Sequence, residues 1–525
     1  MHASVYRSAL PFRVMKTLSF YLDVLRLWLL MLAIVALLVF LFAPKVLVAQ
    51  SLPAPGKTAP AALTLPQVID LTLVQSSVAK QAVTNRETSY WQYRSYRADY
   101  KPQLALNGVL PDYSRTILAV QQPDGTTSFR YVRINTSYVA TTLSQGIGLT
   151  GGRISVGSTL QRFDNFEGGG QRLYNSNPVA IGLTQPIGGF NQLSWNRRIE
   201  PLRYRESQRQ YVEERETIAR RVTELYFDVL LQQVNADVAR QNLRASEDLL
   251  RMGRERHRLG RLSENDLLLL ELNLLNARQA EVQAGVDAQN AAVQLSGYTG
   301  LALDPAAALN VPPATPQLSV APEAALAQAR QFRREGLMFQ RRLLEADRNV
   351  AQAKGTTGFQ ANLTASFGMA SSADQLADSY VSPKDQQQVR LGFSLPIVDW
   401  GKTRATVKTA ELARQQVKQN VEQEQLTFEQ SVRSQAAQLG ALSQQLLLTR
   451  RADSLAQRRY DIARSTYQFG RLTLTDLNIA QSEKDRAKRA YIAALRACWV
   501  AYYQLRTLTL YDFERQEPLL TAAAE

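Results

Sequence analysis

Cysteine and histidine are almost absent from this sequence. Its 525 residues include one cysteine, Cys498, and two histidines, His2 and His257. A disulfide bond within the chain is therefore impossible, and a zinc site built on cysteine or histidine is close to excluded. The sequence also has no Walker loop, nucleophile elbow or metalloprotease helix. We therefore expect no enzyme, with no catalytic residues, no metal and no cofactor.

One motif could suggest a nucleotide cofactor. The segment 146–151 matches the spacing GxGxxG of dinucleotide-binding proteins. Residues on both sides of it alternate in the period of strands, and no helix begins at its third glycine, Gly151. The motif therefore lacks the strand-to-helix context that dinucleotide binding requires. We interpret it as a strand followed by a glycine-rich turn.

Charge of one sign is not concentrated anywhere. The formal net charge is +15, and residues 1–49 carry five basic residues and one acid, so +11 remains beyond them. The basic residues stand among acids along helical segments, which is typical of solvated helix faces. No nucleic-acid partner is expected.

Only one long apolar run is present, residues 27–43, and four basic residues precede it. Together with the small residue Ala49, this pattern predicts a cleaved secretory signal peptide over 1–49. Met15 is an alternative start. No cysteine follows the run, so we expect no lipid anchor, and any later membrane crossing would have to use strands.

The clearest positive feature is an internal duplication at an offset of 210 residues. Gly260-Arg261-Leu262, followed by Asp266, returns as Gly470-Arg471-Leu472, followed by Asp476. A Pro-Ile pair at 186–187 likewise returns at 396–397. The offset far exceeds the roughly 20–50 residues of short-repeat solenoids. The chain is thus predicted to contain one large structural unit twice.

Each repeat should contain a helix, strand segments and a long helical hairpin. The predicted organisation is a signal peptide (1–49), a flexible lead (50–64), a first repeat (65–297), a linker (298–320), a second repeat (321–512) and a C-terminal tail (513–525). The predicted helices are 65–100, 190–258, 264–297, 321–354, 401–468 and 474–510. The predicted strand segments are 103–109, 136–149, 153–163, 178–187, 359–369 and 388–397.

Two further patterns concern packing. Alanines of the last helix step by three and four residues, which predicts a coiled-coil seam at Ala487, Ala490, Ala494, Ala497 and Ala501. At the ends of the strand segments, Phe190 follows Pro186 as Trp400 follows Pro396. Aromatic residues at these junctions suit a membrane interface, although ordinary core aromatics are the alternative.

This ordered, duplicated set resembles the TolC-type outer-membrane efflux channel family over roughly residues 63–513. The resemblance implies a mostly α fold with a membrane β-barrel part: a long α-helical coiled-coil barrel plus a shared trimeric β-barrel. It implies a passive exit duct in the outer membrane with a periplasmic extension. The implied partners are two further copies of the chain, a periplasmic adaptor (membrane fusion) protein, an inner-membrane pump of RND or ABC type, and outer-membrane lipid.

The resemblance also implies two groups of site residues at the hairpin tips. The adaptor would dock on Gly260, Arg261, Leu262, Gly470, Arg471 and Leu472. The periplasmic constriction would be formed by Asp476, Asp266, Tyr467 and Arg471. The sequence departs from the family pattern at Ile479, where a second acid is expected, and at Leu472, where a locking arginine is expected.

Several alternatives stay open at this stage. Asp266 and Asp476 could serve only as acids in the first turn of a helix. A periplasmic coiled-coil adaptor or scaffold is the alternative function, and drug efflux, metal efflux and type I protein secretion are not distinguished. The first repeat carries four strand segments against two in the second, so residues 110–165 are either an extracellular elaboration or extra strands.

Overall fold

A computed structural model describes residues 63–167, 170–301, 309–313, 320–469 and 471–520. These residues belong to one compact unit, Ala61–Glu525. The predicted signal peptide and nearly all of the predicted lead lie outside the described residues. Among the residues described, no helix combines the length and the apolar character needed to cross a membrane.

The predicted helical hairpins are confirmed. The helices are α1 (Leu65–Gln75), α2 (Ser77–Ala98), α3 (Gln192–Arg258), α4 (Glu264–Thr299), α5 (Pro322–Phe332), α6 (Glu335–Thr357), α7 (Lys402–Gln468) and α8 (Leu474–Thr509). The two long helices, α3 and α7, have 67 residues each. At a rise of 1.5 Å per residue each is about 100 Å long. Pro201 lies inside α3 without ending it.

Two helices predicted as continuous are each divided, so those predictions were wrong in detail. Between α1 and α2, Ser76 is extended and its side chain accepts a hydrogen bond from the Ala79 amide, which starts a new helix. Between α5 and α6, Arg333 is extended and pairs with Glu213 at 2.8 Å. At the first break a side-chain cap starts the new helix, and at the second an ion pair holds the side chain of the extended residue.

The strands form one antiparallel sheet that both repeats share. They are β1 (Gln103–Val109), β2 (Tyr113–Gln121), β3 (Thr127–Gly146), β4 (Arg153–Asn165), β5 (Gln171–Ile187), β6 (Gln360–Ala373) and β7 (Lys384–Ser394). Their order across the sheet is β1-β3-β4-β5-β6-β7, and β2 also pairs with β3. Strands β1 and β2 lie one after the other along the same edge of β3.

Strand β2 and the first nine residues of β3 were not predicted from the sequence. Apart from Ile134 and Asn135, which also pair with β4, these segments pair only with each other within the described chain. They project beyond the end of β4, whose last residue is Asn165. Both faces of such a hairpin are exposed, so burial does not impose the alternation of apolar and polar residues that reveals a strand.

The main apolar core lies midway along the long helices and uses both repeats. Tyr226, Phe227, Leu295, Leu495 and Leu505 are among its fully buried side chains. The predicted alanine seam is confirmed only in part: Ala494 and Ala501 are buried, whereas Ala490 is exposed. Nearer the tip, the buried face of α8 is instead formed by residues such as Leu477 and Ala480.

The predicted C-terminal tail is partly folded. Tyr511–Asp512 (β8) pairs with Glu517–Pro518 (β9), and the Leu519 amide donates to the Leu510 carbonyl at 3.0 Å. Residues up to 520 therefore belong to the fold, packed against the end of α8.

Candidate functional site at the hairpin tips

The first tip is a tight turn between α3 and α4. Gly260 has a φ of +69°, a conformation that side chains with a Cβ rarely adopt. Its amide donates to the His257 carbonyl, and the Arg261 amide donates to the Arg256 carbonyl, both at 2.8 Å. This is a Schellman arrangement, which satisfies the last carbonyls of the helix. The predicted tip is therefore a sharply closed helix end with Gly260 and Arg261 exposed.

The second tip repeats the geometry. The Arg471 amide donates to the Thr466 carbonyl at 3.1 Å, the counterpart of the bond made by Arg261. Gly470, predicted as the turn glycine, lies outside the described residues. Before each glycine stands an exposed apolar residue, Leu259 at 66% and Phe469 at 80% exposure. The sequence analysis did not single out this pair, although it shares the 210-residue offset.

The two predicted aspartates occupy identical helix caps. Asp266 donates its amide to the Ser263 hydroxyl oxygen at 3.1 Å, and that hydroxyl donates to the Asp266 carboxylate at 2.7 Å. Asp476 makes the same pair of bonds with Thr473, at 3.1 and 2.6 Å. Asp476 is exposed, and Asp266 is half-buried. A helix-start role thus fits each aspartate, and any role at a constriction would be additional.

Tyr467 is the buried centre of the second tip. It is 6% exposed and packs with Tyr460 and Leu477, against Leu472 and Leu474. Leu472 therefore supplies an apolar contact at the position where the family pattern has an arginine.

The counterpart of Tyr467 in the first repeat is His257. It is exposed, and its Nδ1 lies 2.9 Å from the Leu262 carbonyl oxygen. The duplicated tips therefore differ in the chemistry of their side chains.

Arg256 connects the two tips. Its guanidinium donates to the Gln468 carbonyl at 3.1 Å and lies 5.5 Å from the centre of the Tyr467 ring. Burial raises the pKa of Tyr467, Arg256 opposes this, and Asp266 adds to it. The structure thus brings Asp266, Tyr467 and Arg256 together.

Arg471 does not join this group. Its side chain is exposed and makes no ion pair within the described part of the chain. The sequence analysis missed Arg256 because its role depends on two helices that approach each other only in the folded chain.

A buried ion pair lies about three turns above the second tip. Lys484 and Asp485 are both 6% exposed, and their charged atoms are 3.2 Å apart. The Lys484 ammonium lies 4.5 Å from the centre of the Tyr460 ring, and the Asn242 amide donates to Asp485 at 2.6 Å. The pair therefore joins α8 to α7 and α3. A signal was available, since Lys484 follows Leu477 by seven residues on the buried face.

The strand-to-helix junctions are less alike than predicted. Phe190 is half-buried and packs closely against Gly355. A Cβ added to Gly355 would lie only 2.7 Å from the backbone nitrogen of Phe190. Trp400 is 97% exposed and has a φ of +53°. Pro186 lies in β5 opposite Asn362, whereas Pro396 is exposed beyond β7.

The glycine motif at 146–151 is a turn, as interpreted from the sequence. Gly146 ends β3, and the Asn191 side-chain amide donates to the carbonyls of Gly148 and Leu149 at 3.1 and 3.0 Å. The Asn191 oxygen also accepts from the Ser194 amide and caps α3. The motif thus anchors the start of the long helix.

The sequence matches the family model described as "Outer membrane efflux protein" over residues 147–301 and 325–509. The chain belongs to the outer membrane efflux protein family. The two matched segments lie one in each repeat, so the family model matches both copies of the duplicated unit. A comparison with curated proteins found no match.

Solved structures of similar fold include outer-membrane channels. The Campylobacter jejuni CmeC outer membrane channel is 16% identical, with a TM-score of 0.61 and coverage of 85% of each chain. The open state of the Neisseria gonorrhoeae MtrE outer membrane channel is 17% identical, with a TM-score of 0.57, and covers 89% of this chain and 96% of its own. A Pseudomonas aeruginosa membrane protein is 17% identical, with a TM-score of 0.61, and covers 85% and 90%.

These findings confirm the predicted fold class, a mostly helical, internally duplicated channel chain with a strand part. This efflux protein is an outer-membrane channel and not an enzyme. The alternative of a periplasmic adaptor is not supported, because the matched family consists of channels.

Proposed function

We propose that the chain is the passive exit duct of a tripartite efflux or type I secretion system. It acts as a homotrimer whose strands share one membrane β-barrel and whose long helices extend into the periplasm. The open sheet edges support this proposal, because β1 and β7 each have one unpaired side within the described chain. Lipid does not tolerate unpaired strand edges, so neighbouring copies would have to complete the sheet.

Gating is assigned to the tips. The observation that carries this assignment is the contact of Arg256, on the first hairpin, with the Gln468 carbonyl and the Tyr467 ring on the second. These contacts lie at the ends of α3 and α7 remote from the sheet. Opening would separate the hairpins and break them.

Asp476 is exposed and directly precedes Leu477, which packs with Tyr467. In a trimer, three copies of Asp476 around one axis would form a negative ring that favours cations.

Docking of a periplasmic adaptor and its inner-membrane pump is also assigned to the tips. Leu259 and Phe469 are large apolar side chains exposed at helix ends, next to the exposed backbones of Gly260 and Arg261. Apolar residues rimmed by polar ones are typical of protein interaction sites.

Exposed alanines on the hairpins, such as Ala280 and Ala490, leave room for close approach of a neighbouring copy.

The assembly is tested on protein extracted from outer membranes. Native mass spectrometry in detergent should give a mass of three chains, and planar-bilayer recordings of the same fraction should give conductance. A stable monomer that conducts ions would contradict the proposal.

A further inference from the structure

The register of the sheet divides its side chains into two chemically different faces. At one level across the sheet, Val156 of β4 pairs with Ile181 of β5, which pairs with Phe367 of β6. One residue away, Ser155, Gly182 and Ser366 form the equivalent row on the opposite face. Rows of the first kind are mainly apolar, with exceptions such as Gln387 opposite Phe367, and rows of the second kind are small or polar.

The apolar face continues across all the strands in the order β1-β3-β4-β5-β6-β7. Its members on each strand follow from the pairing and are mostly exposed: Leu104 and Leu106, Leu143, Ile154 and Val156, Ile181, Phe367 and Met369, and Val389, Leu391 and Phe393. An apolar surface this wide would not face water in a folded protein. Strands of outer-membrane proteins place apolar side chains towards lipid and polar ones towards the lumen.

The duplication identifies which strands are additional. In the second repeat, β6 follows α6 and β7 precedes Pro396, and residues 374–383 join them without another strand. In the first repeat, β1 follows α2 and β5 contains the equivalent proline, Pro186, near its end, but β3 and β4 lie between β1 and β5. The first repeat therefore contributes one more pair of full strands than the second.

We propose that β3 and β4 span the membrane, so that each chain supplies a sheet six strands wide. Three copies then close a sheet of eighteen strands, six from each chain. This inference rests on the trimeric duct of the proposed function and deepens it. Strands β1 and β2 are counted as one strand of the sheet, because they lie end to end along one edge of β3 with a short interruption at 110–112.

The direction of the edge strands fits this closure. Strand β1 leaves α2 and β7 leads towards α7, so the two run in opposite directions relative to the helices. Pairing β1 of one copy with β7 of the next is therefore antiparallel, and eighteen is an even number, as single-chain outer-membrane barrels require. Each free edge of the sheet would thus pair with a neighbouring copy of this chain.

The consequence is a wide membrane passage. Closed sheets of about 16–18 strands leave an aqueous channel, whereas sheets of about 8 strands are filled by their own side chains. The inward face carries small residues such as Ser155, Gly157, Gly182, Ser366 and Gly368, which leave the lumen unobstructed. Selection of what passes would then be made at the hairpin tips and not within the membrane.

Spin labels at matched positions test the placement of β4. Single cysteines are introduced at Val156 and Ser155 of β4, and at Phe367 and Ser366 of β6, which lie at the same level of the sheet. The background carries Cys498→Ala, since Cys498 is fully buried. Collision rates are measured in lipid vesicles with molecular oxygen, which prefers lipid, and with a nickel chelate, which stays in water.

We expect Val156→Cys to match Phe367→Cys, with oxygen collisions several-fold above nickel collisions. Ser155→Cys and Ser366→Cys should show the reverse. If Val156→Cys is water-accessible while Phe367→Cys is in lipid, β4 lies outside the membrane and the inference fails alone. If Phe367→Cys is also water-accessible, the proposed function fails with it.

A strand count on the unmodified protein is the second test. Electron cryomicroscopy of the detergent-solubilised trimer should resolve eighteen strands in one closed sheet. A closed sheet of twelve strands, with β3 and β4 of each chain outside it, would overturn the inference and leave the duct intact.

Discussion

The two hairpin tips share their helix caps and differ in the side chains around them. Tyr467 is buried beneath Arg256, whereas its counterpart His257 is exposed and bonded only within its own tip. Because the caps are satisfied locally, they hold the turns in shape whether or not the tips touch. The contact between the tips therefore depends on few side chains, and these are the residues whose replacement should alter opening.

Replacing Arg256 should loosen the closed tips. Arg256→Gln removes the charge that lies over the Tyr467 ring and weakens the bond to the Gln468 carbonyl. Interactions of this kind contribute about 1–3 kcal/mol each, enough to shift an opening equilibrium about tenfold. Resting conductance in planar bilayers should rise several-fold. Arg258→Gln is the control, because among the described residues Arg258 forms its ion pair with Glu255 of its own helix and none with the second hairpin. Equal conductance of both variants would remove Arg256 from the gate.

Asp476 and Asp266 form a natural matched pair for the proposed acidic ring. Both acids cap a helix through the same two bonds, so Asp476→Asn and Asp266→Asn should lower helix stability by the same amount, about 0.5–1 kcal/mol. Only Asp476→Asn should lower cation selectivity, measured as the reversal potential in a salt gradient. An equal shift in both variants, or none in either, would place the constriction elsewhere.

The elements of this chain differ in how well their sequence predicts them. The ends of α3, α4, α7 and α8 are predicted within a few residues, because each hairpin has a turn glycine with a serine or threonine cap after it. The hairpin of β2 and β3 is not predicted, because its two exposed faces carry no burial pattern. Sequence periodicity reports burial, so it finds elements that bury a face and misses those that do not.

The same limit applies to the candidate site. The turn glycines and the capping aspartates could be predicted because their interactions lie within a few residues of chain. Arg256 and its contact with Tyr467 could not, since the residues are over 200 positions apart and belong to different hairpins. Lys484 and Asp485 are charged residues on a buried face, a placement that helix periodicity alone argues against.

The buried pair should determine how firmly α8 packs on α3 and α7. Asp485→Ala leaves the buried Lys484 ammonium without its partner, and removing one member of a buried pair costs about 3–5 kcal/mol. The loss should appear as a lower guanidinium midpoint of the helical circular dichroism signal. Replacing both residues, as in Lys484→Met with Asp485→Leu, should recover part of it.

The control for this prediction is a more exposed ion pair that joins α8 to α7. Lys488 lies 3.6 Å from Asp453, and both side chains are more exposed than those of the buried pair. Asp453→Ala should therefore cost no more than about 1 kcal/mol. If Asp453→Ala and Asp485→Ala shift the midpoint equally, burial of the pair has no part in holding α8.

At the scale of the whole molecule, one arginine joins the first repeat, the second repeat and the C-terminal segment. Arg506 of α8 bonds Glu216 of α3 at 2.9 and 3.0 Å and Asp512 of β8 at 3.0 Å. Burial raises the pKa of Glu216 against the pull of Arg506. Burial would also raise the pKa of Asp512, but Arg506, the Tyr502 hydroxyl and backbone amides outweigh it and hold that pKa below its ordinary value.

This network predicts an acid sensitivity with a definite sign. A carboxyl group whose pKa is lowered in the folded state adds stability above its unfolded pKa and loses it as the pH falls through the folded value. The contribution of Asp512 should therefore be complete above about pH 4 and decline as the pH falls below it towards the lowered folded pKa. Asp512→Asn keeps the shape of the side chain but removes the carboxylate that takes up a proton in acid. Between pH 5 and pH 3, the melting temperature of this variant should therefore fall less than that of the parent.

Two comparisons isolate the effect. Glu216 is unchanged in Asp512→Asn, so its raised pKa is common to the parent and the variant. Its effect therefore cancels when the two changes in melting temperature are compared. Asp237→Asn replaces an exposed acid whose ion pair, within the part of the chain that the structure describes, is with Arg240 of its own helix. This variant should retain the parent's pH dependence. Melting is followed by circular dichroism at one heating rate, because unfolding of a large assembly is often irreversible. If Asp512→Asn loses as much stability in acid as the parent, Arg506 does not depend on Asp512 to join the two repeats.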